Sequence, residues 1–351
     1  MRNLLVLLAV AACLAVAARA ADRSWGPYRG ADTGPAISEE DVRAFAATGG
    51  NLLRITSNSR PLMDKQPPYE VNEANLHLLD TLIGYCEKYK VRVVIDPHTT
   101  PGTGMSTTTR PGDALWKDFA MHDHLLRLWQ HIARRYAGRG EVIAGYDLLN
   151  EPALPDGGAA GTPADWNLLV RKLIKTIRAI DTVHTIIIEP PVFRGKDGRT
   201  RDRLQGMGYL EAPPDANLVY SPHMYEPHEF THQGVAGRPE PVSYPAVIAG
   251  REWNRNTVEQ ALEPVAEFQR RYRVPVFIGE FSAPRWRGED ANRYLRDVIE
   301  VCEEHGWSWA YHAWREWEGW DAECDNFDRT DTARKPDTPR LELLKSFFAR
   351  N

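Results

Sequence analysis

Short, almost wholly aliphatic runs alternate with longer amphipathic stretches along this chain, and that alternation narrows the possible folds more than any other feature. The runs are Tyr28–Asp32, Asn51–Ile55, Arg92–Asp96, Val142–Leu149, Thr185–Glu189, Leu218–Ser221, Val276–Gly279 and Trp307–Ala313. Most are continuously apolar, as strands covered on both faces of a parallel sheet must be. Between them the helical period appears near Ser38–Ala47, Asn72–Tyr89, Asp118–Tyr136, Pro163–Ile180, Asn254–Arg271 and Asp290–His305, and Pro339–Ala349 closes the chain. Ser38 with Asp41, and Thr162 with Pro163, read as helix starts. The fifth unit is weak, because Val192–Glu211 shows no convincing helix.

Eight strand–helix units predict the α/β class and a single (β/α)8 TIM barrel, whose functional groups gather at the carboxyl ends of its strands. An open doubly wound sheet would call for a glycine-rich phosphate loop after the first strand, and none is present. Gly102 and Gly104 read as turn residues in a later loop. No linker, repeat or low-complexity tract divides the chain, so one catalytic-sized domain over residues 21–351 is expected.

Residues 1–20 are expected to be an export signal. Arg2 precedes the apolar run Leu4–Ala17, and Ala18-Arg19-Ala20 supplies a small-residue cleavage site. The run is 14 residues long, where a membrane span takes about 20. The rival is lipoprotein processing at Cys13, after Val10-Ala11-Ala12; plain export to the periplasm or the outside is the expectation. The mature protein is then expected to be free of the membrane and monomeric. Its three remaining cysteines, Cys86, Cys302 and Cys324, lack zinc or redox spacing and read as buried thiols with no disulfide.

Composition excludes one class of partner. With 43 Lys and Arg against 48 Asp and Glu, net charge −5, there is no basic excess to neutralise nucleic acid. The 11 tryptophans point instead to ligands with flat apolar faces, sugar rings among them.

The residues at the strand ends carry the chemistry. In chain order they are Arg54, His98, Asn150-Glu151-Pro152, His223-Met224-Tyr225, Glu280 and Trp314. Charged groups converging at one end of a buried sheet are costly unless they are used. Glu151 and Glu280 close the fourth and seventh strands, and two opposed carboxylates are what glycoside hydrolysis requires. Arg54 across the barrel mouth would favour the charged form of Glu280, while an apolar setting would suit Glu151 as an acid.

That ordered set resembles glycoside hydrolase family 5, the cellulase-like family with catalytic glutamates on strands four and seven, over nearly the whole mature chain. The resemblance implies a retaining double displacement with Glu151 as acid/base and Glu280 as nucleophile. It further implies that Asn150 bonds the sugar 2-hydroxyl, His223 orients Glu151, and Arg54 and Tyr225 bond Glu280. His98 would line the subsite and Trp314 form its floor. No cofactor or metal is implied.

Several other residues compete for attention. Tyr69, Trp116, Phe230, Trp253, Trp286, Trp317 and Trp320 fall in loops of the same face; about half are expected to close those loops over the core, with Trp317 and Trp320 the best subsite candidates. Glu189 reads as structural, paired with a residue such as Arg194. His122 and His124 diverge on a helix and do not make a metal site; His228 and His232 are at most substrate contacts. An endo-β-1,4-glucanase acting on an oligo- or polysaccharide is the leading reading. Other β-glycanase or exo-glycosidase specificities remain open, as do a metal-dependent barrel hydrolase and a non-catalytic carbohydrate-binding barrel. The loops Thr99–Gly104 and Glu226–Gly234 depart from the commonest cellulase pattern.

Overall fold

A computed structural model describes residues 25–104, 109–155, 158–193, 203–324 and 328–351. The export signal, Cys13 and Arg194 lie outside the described residues. Eight parallel strands form the central sheet: β1 (Arg29–Thr33), β2 (Leu52–Thr56), β3 (Arg92–Asp96), β4 (Ile143–Asp147), β5 (Thr185–Ile188), β6 (Leu218–Tyr220), β7 (Phe277–Ile278) and β8 (Ser308–Tyr311). They neighbour one another in chain order, and β8 pairs back onto β1. Parallel bridges from Tyr220 to Val276 and from Met224 to Phe281 join β6 to β7 and close the ring. This is the expected (β/α)8 barrel.

Among the described residues the longer helices are α1 (Glu39–Ala47), α2 (Glu73–Tyr89), α3 (Phe119–Tyr136), α4 (Trp166–Arg178), α5 (Arg255–Tyr272), α6 (Gly288–Glu304) and α7 (Pro339–Phe348), with one short turn of helix at His228–Thr231. Ser38 and Asp41 cap α1 reciprocally, as the sequence suggests. Helix α4 begins later than Thr162-Pro163 implies, because the Asp165 side chain accepts from the Leu168 N–H and sets the first turn there. Between β5 and β6 the described residues hold a 3-10 helix, Arg203–Tyr209, which packs on α5. Gly206 and Gly208 disfavour a full helix there. A Cβ on Gly206 would also meet the Pro191 carbonyl oxygen at 2.0 Å.

Two layers fill the barrel interior. Leu52, Val94, Ala144, Ile187, Val219, Phe277 and Ala310 form an apolar plug, with Trp25 and Tyr28 packed against it. Side chains on a strand repeat with period two, so the next inward positions are Arg54, Asp96, Glu189 and His312. The apolar plug thus supports a polar floor one pleat nearer the carboxyl end. A larger apolar shell lies between strands and helices and holds the buried free thiols of Cys86 and Cys302; Cys324 is likewise a buried free thiol. Among the described residues no helix is long and apolar enough to cross a membrane.

Candidate active site

Arg54 is fully buried at the centre of the polar floor. Its guanidinium reaches Asp32 at 3.1 Å, Asp96 at 3.0 Å, Asp147 and Glu189 at 2.9 Å, and Glu280 at 2.7 Å. It also donates to Asn150 Oδ1 at 3.0 Å. A guanidinium suits this post because its five N–H donors fan out in one plane and it keeps its charge when buried. Burial pushes Asp32 and Asp147 well above the usual carboxylate range despite Arg54. Asp96 goes the other way: burial opposes its charge, but Arg54 and His98 outweigh it.

Glu280 follows β7 and presents both oxygens to donors. Oε1 accepts from Arg54, and Oε2 accepts from the Tyr225 hydroxyl at 3.0 Å. Burial works against its charge, but the His223 and His312 imidazoles and the Arg54 guanidinium hold its carboxyl well below the usual range. Burial, then Glu280 and Asp32, push the Tyr225 phenol well above its usual value, so it keeps the proton it donates.

Glu151 follows β4 in the left-handed region, φ +39°, a conformation that costs a non-glycine residue about 1–3 kcal/mol and persists only where its surroundings impose it. Here the Glu189 carboxylate accepts the Glu151 N–H at 2.7 Å, and the Thr109 hydroxyl donates to the Glu151 carbonyl at 3.2 Å. His223 Nδ1 lies 3.2 Å from Glu151 Oε1 and 3.6 Å from Glu280 Oε2. Burial disfavours a charge on His223, yet Glu189, Glu280 and Glu151 raise it well above the usual imidazole value. Oxygens of Glu151 and Glu280 and a nitrogen of His223 all lie within 4.8 Å of one another. Both Glu280 oxygens already accept from cationic or phenolic donors, so this trio reads as an acid, its partner and a nucleophile.

These groups open into a cleft of about 580 Å³ lined by Asn58, His98, Arg110, Asn150, Glu151, Tyr225, His228, His232, Val235, Ala236, Arg238, Glu280, His312, Glu316, Trp317 and Trp320. His98 is fixed by Asp96, whose oxygens accept from its N–H at 2.7 Å and meet Nδ1 at 2.6 Å. Trp320 stacks on Tyr225 with ring centres 5.8 Å apart, and Trp317 meets Trp320 edge-on at 5.0 Å.

Of the residues singled out from sequence, Arg54, His98, Asn150, Glu151, His223, Tyr225, Glu280, Trp317 and Trp320 converge here. Trp314 does not. It is buried against Phe45, and its indole N–H donates to the Asp41 carbonyl at 3.1 Å. It follows the end of β8, where strand alternation no longer governs direction, and α1 supplies both an apolar neighbour, Phe45, and an acceptor, the Asp41 carbonyl. The residue at the expected floor is His312, which strand alternation from Ala310 would have found. Trp116, Phe230 and Trp253 are buried in the core, and Tyr69 packs on His124. The His122 ring bonds the Leu115 and Pro163 carbonyls. Glu189 has a structural role, on Arg54 and the Glu151 N–H. Besides His312, sequence reasoning missed Glu316 and the buried acids Asp32, Asp96 and Asp147.

Known proteins resemble this chain in sequence and in fold. The sequence profile of the cellulase family, glycosyl hydrolase family 5, matches residues 16–318. Endoglucanase C of Acetivibrio thermocellus is 25% identical over 307 residues, spanning 78% of this chain and 84% of its own. Cellodextrinase A of Ruminococcus flavefaciens is 25% identical over 283 residues, spanning 80% and 79%. The structure of endoglucanase Cel5A from Thermotoga maritima superposes with a TM-score of 0.68 at 25% identity, over 92% of this chain and 98% of that one.

Proposed function

The chain belongs to glycosyl hydrolase family 5, the cellulase family, and from that premise we propose that this glycoside hydrolase is an endo-β-1,4-glucanase working by retaining double displacement. The observation that carries the mechanism is the approach of Glu151 and Glu280, with oxygens within 4.8 Å. Retaining enzymes hold their carboxyl groups about 5–5.5 Å apart, whereas inverting ones leave about 6.5–9.5 Å for a water.

Glu280, charged and held by Arg54 and Tyr225, attacks the anomeric carbon. Glu151 protonates the departing oxygen, then takes a proton from the water that releases the glycosyl group. The change of role needs a neighbour that tolerates both states, and His223 faces both carboxylates. Asn150, with its amide oxygen turned to Arg54, offers its NH2 end to the sugar 2-hydroxyl, and His98 lines the same subsite. Trp317 and Trp320 are the stacking platforms for further sugar rings. The names of the endoglucanase and cellodextrinase relatives support a β-1,4-glucan substrate. The enzyme acts as one catalytic domain, residues 21–351, exported behind a leader of residues 1–20, monomeric and without a cofactor.

A product profile on a panel of soluble glucans, mannan, xyloglucan and β-1,3-glucan tests the specificity. An early viscosity drop and mixed cello-oligosaccharides from β-1,4-glucan are expected. Release of single sugars from chain ends, or preference for another backbone, would move the assignment within the family.

A further inference from the structure

His312 takes no step in the double displacement, yet it touches the nucleophile. Its Nδ1 lies 3.2 Å from Glu280 Oε2 and 2.7 Å from the Tyr225 hydroxyl, and its Nε2 lies 3.2 Å from a Glu316 oxygen. The other Glu316 oxygen accepts from Thr56 at 2.8 Å, which anchors the carboxylate to the end of β2. The imidazole therefore bridges two carboxylates. We propose that His312, gripped by Glu316, is a cationic positioning residue for Glu280, acting beside Arg54 and His223; this rests on Glu280 being the nucleophile.

Groups from every neighbouring element support a charged imidazole. Glu280 faces it from β7, the Tyr225 phenol from β6 and Glu316 from its own loop. Asp32, from β1, is pushed well above the usual carboxylate range by burial, against the pull of Arg54 and His312. The Trp320 ring packs beside it in the cleft wall, ring centres 5.0 Å apart. His98 acts on Glu316 from β3 and favours its charged form. Burial works against a charge on His312, but Glu280 and Glu316 outweigh it and raise the imidazole well above its usual value. For Glu280 the outcome is cationic groups at both oxygens: Arg54 on Oε1, and His312 on Oε2 with His223 3.6 Å away, while Tyr225 meets both Oε2 and His312.

The pH dependence of kcat/KM separates this role from mere packing. Its acid limb reports the ionisation of the nucleophile in the free enzyme. His312→Asn keeps a donor near the Nδ1 position but removes the charge, and removing a cation beside a carboxylate raises its pKa. The acid limb should move up by roughly one pH unit. An unmoved limb with a lower rate would overturn the proposal. Nitrogen NMR of the His312 ring, assigned through its contacts with Trp320, tests the grip of Glu316 without any activity. The midpoint should lie above the usual value of about 6.5, and fall by about one unit or more in Glu316→Gln. A midpoint at the usual value, or one unchanged by Glu316→Gln, overturns it. If the enzyme cleaves no glycoside, the proposed function fails while the ring titration still decides the His312–Glu316 pair. If it is active with an unmoved acid limb, only this inference fails.

Discussion

One guanidinium, that of Arg54, faces five carboxylates in the barrel interior, and the shape of the active centre follows from that imbalance. Breaking a buried pair by removing one partner costs about 3–5 kcal/mol, because the other charge stays behind. Arg54→Ala should lose stability on that scale in urea unfolding, along with nearly all activity. Arg54→Lys should retain the fold better but not the rate, since an ammonium cannot reproduce the planar fork. The two catalytic glutamates should separate in a different way. Glu151→Ala should lose about 10²- to 10⁴-fold on natural linkages and far less on aryl glycosides, whose leaving group needs no proton; equal losses on both would contradict the acid role. Dialysis against EDTA should leave the rate unchanged. The glutamates were legible in the sequence because each directly follows an aliphatic run, so that strand and site are read together. Asp32, Asp96 and Asp147 were not, since each is the last or nearly the last polar residue inside a strand and reads as part of it. His312 and Trp314 were exchanged for a related reason: two residues apart they would share a face of an ideal strand, and sequence does not show that β8 ends at Tyr311, before that alternation reaches Trp314.

At the scale of elements, the strands set how closely the site can be drawn together. A Cβ on Gly30 in β1 would meet the Leu52 carbonyl oxygen of β2 at 2.2 Å, so Gly30→Ala should destabilise by about 1–3 kcal/mol through overpacking. The turn that leads into β5 depends on Asp181, which accepts from the N–H groups of Val183 and His184 and from the Tyr146 hydroxyl. Burial alone would raise its pKa, but His184 and these backbone donors lower it to about 2. A carboxylate depressed in the folded state stabilises above its unfolded pKa, and that contribution fades as pH falls from about 4 towards 2. Asp181→Asn should therefore lower the urea midpoint at neutral pH and flatten its decline across that acid window; an unchanged acid slope would show that Asp181 is not the group responsible. Seven helices were legible from period and caps, and the weak fifth unit was legible too, from a segment, Val192–Glu211, with four glycines and no convincing helical period. The displaced start of α4 was not, because Thr162 and Asp165 are both good caps and only packing chooses between them.

The whole molecule is a barrel closed by β8 on β1 and by bridges between β6 and β7, with its cleft on the carboxyl face. Burial pushes the thiols of Cys86 and Cys324 up to about 12 and about 11, and raises that of Cys302 as well. They should be inert to thiol reagents in the native enzyme, and three should titrate on denaturing the leader-free protein without reductant; a count of one would contradict the placement of these helices. What the cleft does to a sugar chain is the central matter, and one measurement reaches it most directly. A glucoside carrying fluorine at C2 and an activated leaving group forms the glycosyl–enzyme faster than water can release it. After incubation, the intact mass should rise by one fluoroglucosyl group, and peptide mapping should place that group on Glu280. Labelling of Glu151 or of any other residue, or a product of inverted configuration by proton NMR, would contradict the account.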